Sequence, residues 1–449
     1  MTTSTRGPEA GPAELAHGAD LEVRRNARLA RRFGDRLSAP ERAAVRRLAR
    51  AAHDCGAAVY LVGGVVRDLL LGRPLRDLDF AVDGDVTRVV DRLGGDARHH
   101  RAFGTATVVV RGGVRIDLAR TRRERYRRPG ALPEVAPAGL ADDLARRDFS
   151  INAMAAPLVP SGLGGLIDPF GGLTDLRRGR VRVLHRRSFV DDPTRAWRAV
   201  RAAAELGFGI EPRTRSLLRA AARSDGCKRV SGARVLHELT RTLEGPRPGA
   251  VAMLLDRHGL LDAMAEGIRL SRRTAAGLDR VPGVVRRHRR RFPDEPLLAW
   301  TIGGAVLLRA SAAEVAERAL ARLRPSRAER EAVEGGRTAL RRLPRTLAAG
   351  RRLPASVIDV ACGGSRTEAL LAVVAGTSSS HVRSAVLRYL ERLRLVRLEI
   401  GGRDLLADGL GPGPAIARAL AAARAARLDG RAPGRAAQLR VARSALRPS

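Results

Sequence analysis

Apolar and polar positions along this chain follow two rhythms, and the change between them divides it. From Leu21 to Cys55 apolar residues recur at helical spacing, broken near Ser38-Ala39-Pro40, where Ser38 is placed to cap a second helix. The period then shortens. VYLVGG (59–64) reads as a short apolar strand closing on two glycines, VVRDLLLG (65–72) as a short helix ending at Gly72, and DLDFAVDG (77–84) alternates as a strand. After a helix over about 86–94, ATVVVR (106–111) and VRIDLAR (114–120) flank Gly112-Gly113, a hairpin signal. Residues 38–185 therefore read as a small α/β domain.

From Pro193 onward the strand signals nearly vanish. Ala, Leu and Arg recur at helical spacing to the C-terminus, with breaks expected at Gly245-Pro246, Pro293, Gly335-Gly336, Gly363-Gly364 and Gly401-Gly402. No internal repeat of fixed period stands out. The first 20 or so residues, rich in Gly, Pro, Thr and Ala, read as a flexible tail.

Charge changes the picture more than composition does. Lys and Arg total 83 against 47 Asp and Glu, a formal net charge of +36, and Lys228 is the single lysine. Such a chain repels itself without a polyanion or counterions nearby, which makes nucleic acid the leading partner and an anionic membrane the next. No run reaches the ~18 apolar residues of a membrane span, and the polar N-terminus lacks a secretory core. Cys55, Cys227 and Cys362 lie far apart without a CxxC pair, which excludes a disulfide framework and a cysteine zinc site and fits a cytoplasmic location. Aromatics at 3% leave no broad stacking platform for single-stranded RNA. The densest basic run, Arg286–Arg291, suits a solvated helix face and also a phosphate contact.

Candidate chemistry concentrates between residues 63 and 117. Gly63 and Gly64, between a strand and a helix, let backbone N–H groups approach phosphate, and Arg67 adds a cation one turn in. Asp77 and Asp79, two apart on a strand, share one face about 7 Å apart. Mg²⁺ needs only one or two protein carboxylates when water and phosphate supply its other ligands, and Asp117 in the neighbouring strand offers a third.

With these residues in place, four ordered motifs resemble the class II tRNA nucleotidyltransferases and bacterial poly(A) polymerases, of the polymerase-β-like superfamily. They are GGVVRDLLLG…RDLDF, RRDFSINAMA (146–155), DPFGGLTDLRRGRVRVL (168–184) and DDPTRAWRAVRAAAELGF (191–208). Arg234 and Glu238 in GARVLHELTRTL continue the likeness through a neck helix, and GRDLLADGLGPGPAIARAL (402–420) is similar to the family's tail. The resemblance implies an α+β chain: a nucleotidyltransferase head of mixed sheet and helices, followed by an all-helical neck, body and tail. The implied divisions are a tail and helix at 1–37, a catalytic head at 38–185, a neck at 186–250, a body at 251–365 and a tRNA-binding tail at 366–449.

It also implies residue roles. Gly64 and Arg67 would contact the triphosphate, with Gly63 beside them, and Asp77 and Asp79 would bind Mg²⁺. Arg146, Arg147, Asp148 and Asn152 would meet nucleotide phosphate and ribose. Asp192 and Arg195 would read the base, supported by Arg198 and Arg201. Chemistry supports that reading: a carboxylate accepts from the exocyclic amine of cytosine or adenine, and a guanidinium donates to a ring acceptor, whereas uracil and guanine oppose a carbonyl to the carboxylate.

The expected activity is template-independent addition of C, C and A to tRNA 3′ ends from CTP and ATP, with a poly(A) polymerase or a partial CC- or A-adding enzyme as same-class alternatives. A non-catalytic RNA-binding protein on a degenerate scaffold is the rival from another class. The expected partners are the tRNA 3′ end and acceptor region, with no membrane and no obligate protein partner. TRRERYRRPGALPEV (121–135) resembles the family's flexible loop. Asp191 stands where the family usually has Glu and Ala202 where Phe is common. His53-Asp54 precedes the head strands and no His/Asp clusters follow residue 250, so a phosphohydrolase activity is not expected.

Overall fold

The structure, a computed structural model, describes residues 26–75, 78–100, 104–263, 266–348, 353–407 and 413–446. The chain divides into two compact units, up to Val230 and from Ser231. That division falls inside the segment expected as the neck.

In the first unit, residues 26–36 are helical (α1), and Leu29 and Phe33 are buried in the head core ahead of the expected start at residue 38. Helix α2 (Ala39–Asp54) begins as expected at Ser38, whose hydroxyl accepts from the amide of Glu41 while the Glu41 carboxylate takes the amide of Ser38. Then follow β1 (Ala58–Val62), α3 (Gly64–Leu70), β2 (Asp79–Asp83), α4 (Val86–Leu93), β3 (Asp96–His100), β4 (Thr105–Val110) and β5 (Val114–Arg120). Next come β6 (Arg122–Arg125), β7 (Glu134–Pro137), α5 (Leu140–Ala145), β8 (Ala155–Val159), β9 (Gly162–Leu163), α6 (Gly172–Arg177) and β10 (Arg180–Val181). The unit closes with α7 (Ser188–Asp191), α8 (Thr194–Leu206), β11 (Gly209–Ile210), α9 (Pro212–Arg223) and α10 (Asp225–Arg229).

Seven strands form a mixed sheet in the order β3-β4-β5-β2-β1-β8-β9. The β4–β5 hairpin turns where Gly112-Gly113 required it, with Val110 opposite Val114. Both glycines have positive φ, the region an L side chain rarely adopts. Within this sheet, among the described residues, β2 and β5 are the parallel pair, and their register places Asp79 beside Asp117. Alternation divides the sheet's side chains between two faces. Val59, Leu61, Phe80 and Val82 pack in one core with α2 and α4, while Val62 and Ala81 pack with Leu144 on the other face.

Two expectations change here. Residues 121–135, read as a loop, begin with β6, which pairs antiparallel with β7 in a separate two-stranded sheet, Arg122 opposite Pro137 and Arg125 opposite Glu134. The segment carries no apolar alternation because its strands do not face a hydrophobic core. The remainder after the head is also not wholly helical, since β11 pairs in parallel with β10.

The second unit contains α11 (Gly232–Leu243), α12 (Pro248–Arg257), α13 (Arg272–Arg291), α14 (Ala299–Leu307), α15 (Ala313–Leu323) and α16 (Arg327–Thr346). It continues with α17 (Ala355–Cys362), α18 (Thr367–Gly376), α19 (Ser380–Glu391), α20 (Gly402–Leu406), α21 (Pro414–Leu428) and α22 (Arg435–Ser444). Helix α18 is buried from Glu368 to Gly376 and packs on α13, α14, α16 and α19. A small separate core of Ile400, Leu405, Ala419, Ala423 and Ala442 holds α20, α21 and α22. Gly335-Gly336, expected to break a helix, instead lies inside α16. A Cβ at Gly336 would come within 2.6 Å of the Ala305 Cβ, so the missing side chain sets how closely α16 approaches α14. In the basic run, His288 is buried while Arg286, Arg287 and Arg289–Arg291 are exposed.

Candidate active site

Two cavities of about 370 Å³ each lie within the first unit, one of them on the sheet face away from α2 and α4. Gly64, Arg146 and Arg147 line both, so they share a wall.

The first cavity is built on strand ends. Because β2 and β5 are parallel and in register, Asp79 and Asp117 point to the same face on strands about 4.8 Å apart. Thr107, opposite Asp117 on β4, donates to Asp117 Oδ1 at 2.5 Å, and Arg115 donates to the same carboxylate at 3.1 Å. Asp77, the other expected metal ligand, lies outside the described residues. Across the cavity Gly63 adopts φ +74°, and a Cβ there would stand 2.5 Å from Arg147 Nη1. Glycine thus answers both a backbone and a space requirement.

Behind the glycine turn a chain of hydrogen bonds fixes the remaining expected groups. Arg67 on α3 donates to both oxygens of Asp68 and through Nη1 to Asn152 Oδ1 at 2.7 Å. Asn152 Nδ2 donates to Asp148 Oδ1 at 3.0 Å, and Arg198 of α8 meets Asp148 Oδ2 at 2.7 Å. Burial pushes the Asp148 carboxyl upward, but Arg198 and these hydrogen bonds outweigh it and hold its pKa below the usual range.

The second cavity is lined by Tyr126, Asp148, Asn152, Asp192, Arg195 and Arg198, among others. Asp192 precedes α8 rather than lying on it. Its φ is −130°, and its Oδ1 accepts from the amide and the hydroxyl of Thr194 at 3.0 and 2.7 Å. Arg195, 4% exposed, donates through Nη1 to Ser188 Oγ at 3.0 Å and through Nη2 to the Arg146 carbonyl at 2.7 Å. The two side chains still line one cavity. Arg67 and Arg201 line neither: Arg67 reaches the site through Asn152, and Arg201 is half-buried farther along α8.

Sequence reasoning missed three residues here. Asp143 on α5, 1% exposed, accepts from Arg146 Nε and Nη2 at 2.9 and 2.7 Å and from Arg147 Nη2 at 2.9 Å. Burial raises its pKa, and the two guanidiniums overcome that and leave it below the ordinary value. Its i, i+3 and i, i+4 spacing to the arginines was the available signal. Glu124 on β6 accepts from Arg146 Nη1 at 3.1 Å, from Arg122 Nη2 at 3.0 Å and from the Tyr126 hydroxyl at 3.2 Å. Burial, with Glu124 and Asp192 adding to it against Arg195, pushes the Tyr126 phenol up to about 12.

Comparison with known proteins places the chain among described relatives. Residues 59–182 match the poly A polymerase head domain, and residues 207–270 match the probable RNA and SrmB-binding site of polymerase A. An A-adding tRNA nucleotidyltransferase of Geobacter sulfurreducens is 35% identical over 414 residues, 90% of this chain and 47% of that protein. A CC-adding tRNA nucleotidyltransferase of Deinococcus radiodurans is 42% identical over 204 residues, 44% of this chain and 53% of the relative. The chain therefore spans about half the length of these curated relatives. A Thermotoga maritima CCA-adding enzyme solved in complex with tRNA superposes with a TM-score of 0.69 at 27% identity, covering 93% of this chain and 98% of that one. Similar CCA-adding enzymes have been solved with ATP and with CTP. This chain belongs to the family of class II tRNA nucleotidyltransferases and bacterial poly(A) polymerases, whose members include CCA-, A- and CC-adding enzymes. Among the described residues no helix is long and apolar enough to cross a membrane.

Proposed function

We propose that this protein extends tRNA 3′ ends with C, C and A from CTP and ATP, without a nucleic-acid template and with release of pyrophosphate. The observation that carries the reading is the shared wall. Gly64, Arg146 and Arg147 join a cavity holding Asp79 and Asp117 to one holding Asp192 and Arg195, so one nucleotide can span both. The triphosphate lies against the Gly63-Gly64 turn, with Arg146 and Arg147 neutralising it. The ribose meets Asp148 and Asn152, and the base faces Asp192 and Arg195.

Arg195 is held in advance by Ser188 and the Arg146 carbonyl, so little is lost in orienting it when a base arrives. Uracil or guanine would set a carbonyl against the Asp192 carboxylate, at about 1–3 kcal/mol per unpaired group.

Among the described residues no group of three or more His, Cys, Asp or Glu forms a metal centre. Asp79 and Asp117 nevertheless supply hard oxygen donors side by side, a set suited to Mg²⁺ that keeps water and phosphate oxygens as its other ligands. These two, with Asp77, would hold the ion, which when bound polarises the α-phosphate and steadies the leaving pyrophosphate. Asp117, oriented by Thr107, accepts the proton of the attacking ribose hydroxyl. The chain's further contributions are alignment and charge neutralisation.

A second reading, addition of the terminal A alone, is favoured by the likeness to the Geobacter sulfurreducens A-adding enzyme over 90% of this chain. Purified protein incubated with Mg²⁺ and each labelled nucleotide, on tRNA lacking its last three residues and on tRNA ending in CC, separates the two. Three residues added to the first substrate support complete C-C-A synthesis. Extension of the second alone supports A addition, and no incorporation on either overturns both.

A further inference from the structure

Four arginines in the second unit, spread over 110 residues of sequence, converge on the end of α18 and the turn into α19. Arg280 Nε donates to the Ala375 carbonyl at 2.7 Å and its Nη2 to the Thr377 carbonyl at 3.3 Å. Arg309 Nη1 donates to the Gly376 carbonyl at 2.5 Å. Arg273 Nη2 meets Ser378 Oγ at 2.7 Å, and Arg383 Nη2 meets the Thr377 carbonyl at 3.3 Å.

None of the four has a carboxylate partner among the described residues. The C-terminal dipole of α18 amounts to roughly half a negative charge, far short of balancing four cations. Their mutual repulsion is felt: burial lowers the pKa of Arg280 and Arg309, and neighbouring arginines of the same group lower it further. Each guanidinium carries about five N–H donors, most of them unused by the five bonds above, and the buried Nε of Arg383 has no hydrogen-bond partner. Helix α19, twelve residues long, starts at the same turn and directs its N-terminal amides there. Capping one helix end needs one arginine. Four gathered without an acid form a receptor for an anion.

We propose that Arg273, Arg280, Arg309 and Arg383 form a phosphate-binding site at the α18–α19 turn, remote in sequence from the nucleotide-binding residues. The chemistry is that of a phosphate oxyanion, carried on an RNA backbone or free in solution. It does not depend on which nucleotides the head adds.

The test uses the full chain and compares wild type with the double variant Arg273→Gln/Arg383→Gln. The control, Arg327→Gln/Arg330→Gln, removes the same charge from arginines paired with Glu331 and Glu334. If the occupant is RNA, the double variant binds tRNA about tenfold more weakly near 0.1 M salt, and its log–log salt slope falls by about one. If it is free phosphate, millimolar inorganic phosphate raises the melting temperature of the wild type and the control, and the double variant loses that rise while its tRNA binding stays unchanged. Either result supports the site. A double variant matching the control in both measurements overturns it.

Ser378→Asp covers the case in which the double variant does not fold, because it places a carboxylate where Arg273 now meets a hydroxyl. A raised melting temperature with loss of the phosphate response is expected; a lowered one with the response intact refutes the proposal. CTP binding, measured separately, is expected to stay at the wild-type level throughout, so failure of this site and failure of the catalytic reading are distinguishable.

Discussion

Removing the charge of one buried carboxylate should weaken the head's nucleotide grip more than its position outside the recognised motifs implies. Asp143→Asn keeps the shape of the side chain but takes the anion from between Arg146 and Arg147, which donate three hydrogen bonds to it. Breaking a fully buried ion pair costs about 3–5 kcal/mol. Here the arginine side chains are 19% and 17% exposed, and Arg146 keeps Glu124. Water and Glu124 therefore recover part of the loss, and the expected cost is about 2–3 kcal/mol.

Trp197 lies in the first unit and Trp300 in the second, so a Trp300→Phe background lets urea unfolding followed by fluorescence report the head alone. CTP affinity in the same variant should fall at least tenfold as Arg147 loses its anchor. The pH dependence has a definite sign. The folded-state pKa of Asp143 is lowered, so its contribution is complete above its unfolded value of about 3.9 and is lost as pH falls through the lowered value. The gap between wild type and variant should stay constant from neutral pH to about 5 and shrink below that. A stability loss under about 0.5 kcal/mol with CTP affinity unchanged would refute the reasoning.

Three further outcomes are expected. Gly63→Ala should cost about 1–2 kcal/mol of stability in the unfolding assay and raise KM for both nucleotides by displacing Arg147; an unchanged KM would remove Gly63 from the triphosphate site. Tyr126→Phe should leave the absorbance titration unaltered up to pH 10.5, because burial pushes that phenol up to about 12; a lost titration step near pH 10 would contradict the burial. Glu295, held at about 2 chiefly by its hydrogen bonds from Arg394 against the effect of burial, stabilises the second unit at pH values above about 4.5 and loses that contribution as pH falls toward 2. Thermal melts of Glu295→Gln should therefore lie below wild type at pH 7 and converge with it near pH 2; equal melts at pH 7 would show that the pair contributes nothing.

The head was legible wherever local chemistry dictated the backbone. Gly112-Gly113 fixed a hairpin, Ser38 capped a helix, and the alternation of 77–84 exposed Asp79 on a strand. Residues whose role depends on distant neighbours were not legible. Asp143 lies outside the recognised motifs, and only the fold brings β6 and the two arginines around it. Glu124 and Tyr126 sit in a segment with too many charges to look like a strand, because their partners are other charges. The first helix was read as lying ahead of the head, since nothing local shows that Leu29 and Phe33 enter the head core. Arg273, Arg280, Arg309 and Arg383 share no motif and meet only after α13, α14, α18 and α19 have packed.

The bare backbone of Gly336 against Ala305 has a consequence for how this protein tolerates change. Gly376 repeats the arrangement, since a Cβ there would lie 2.5 Å from Leu340 Cδ2. At these two points the glycine side of the contact has no side chain to lose. Gaining one methyl group at either glycine would wedge neighbouring rods apart, so at these two crossings mutational damage comes from enlargement.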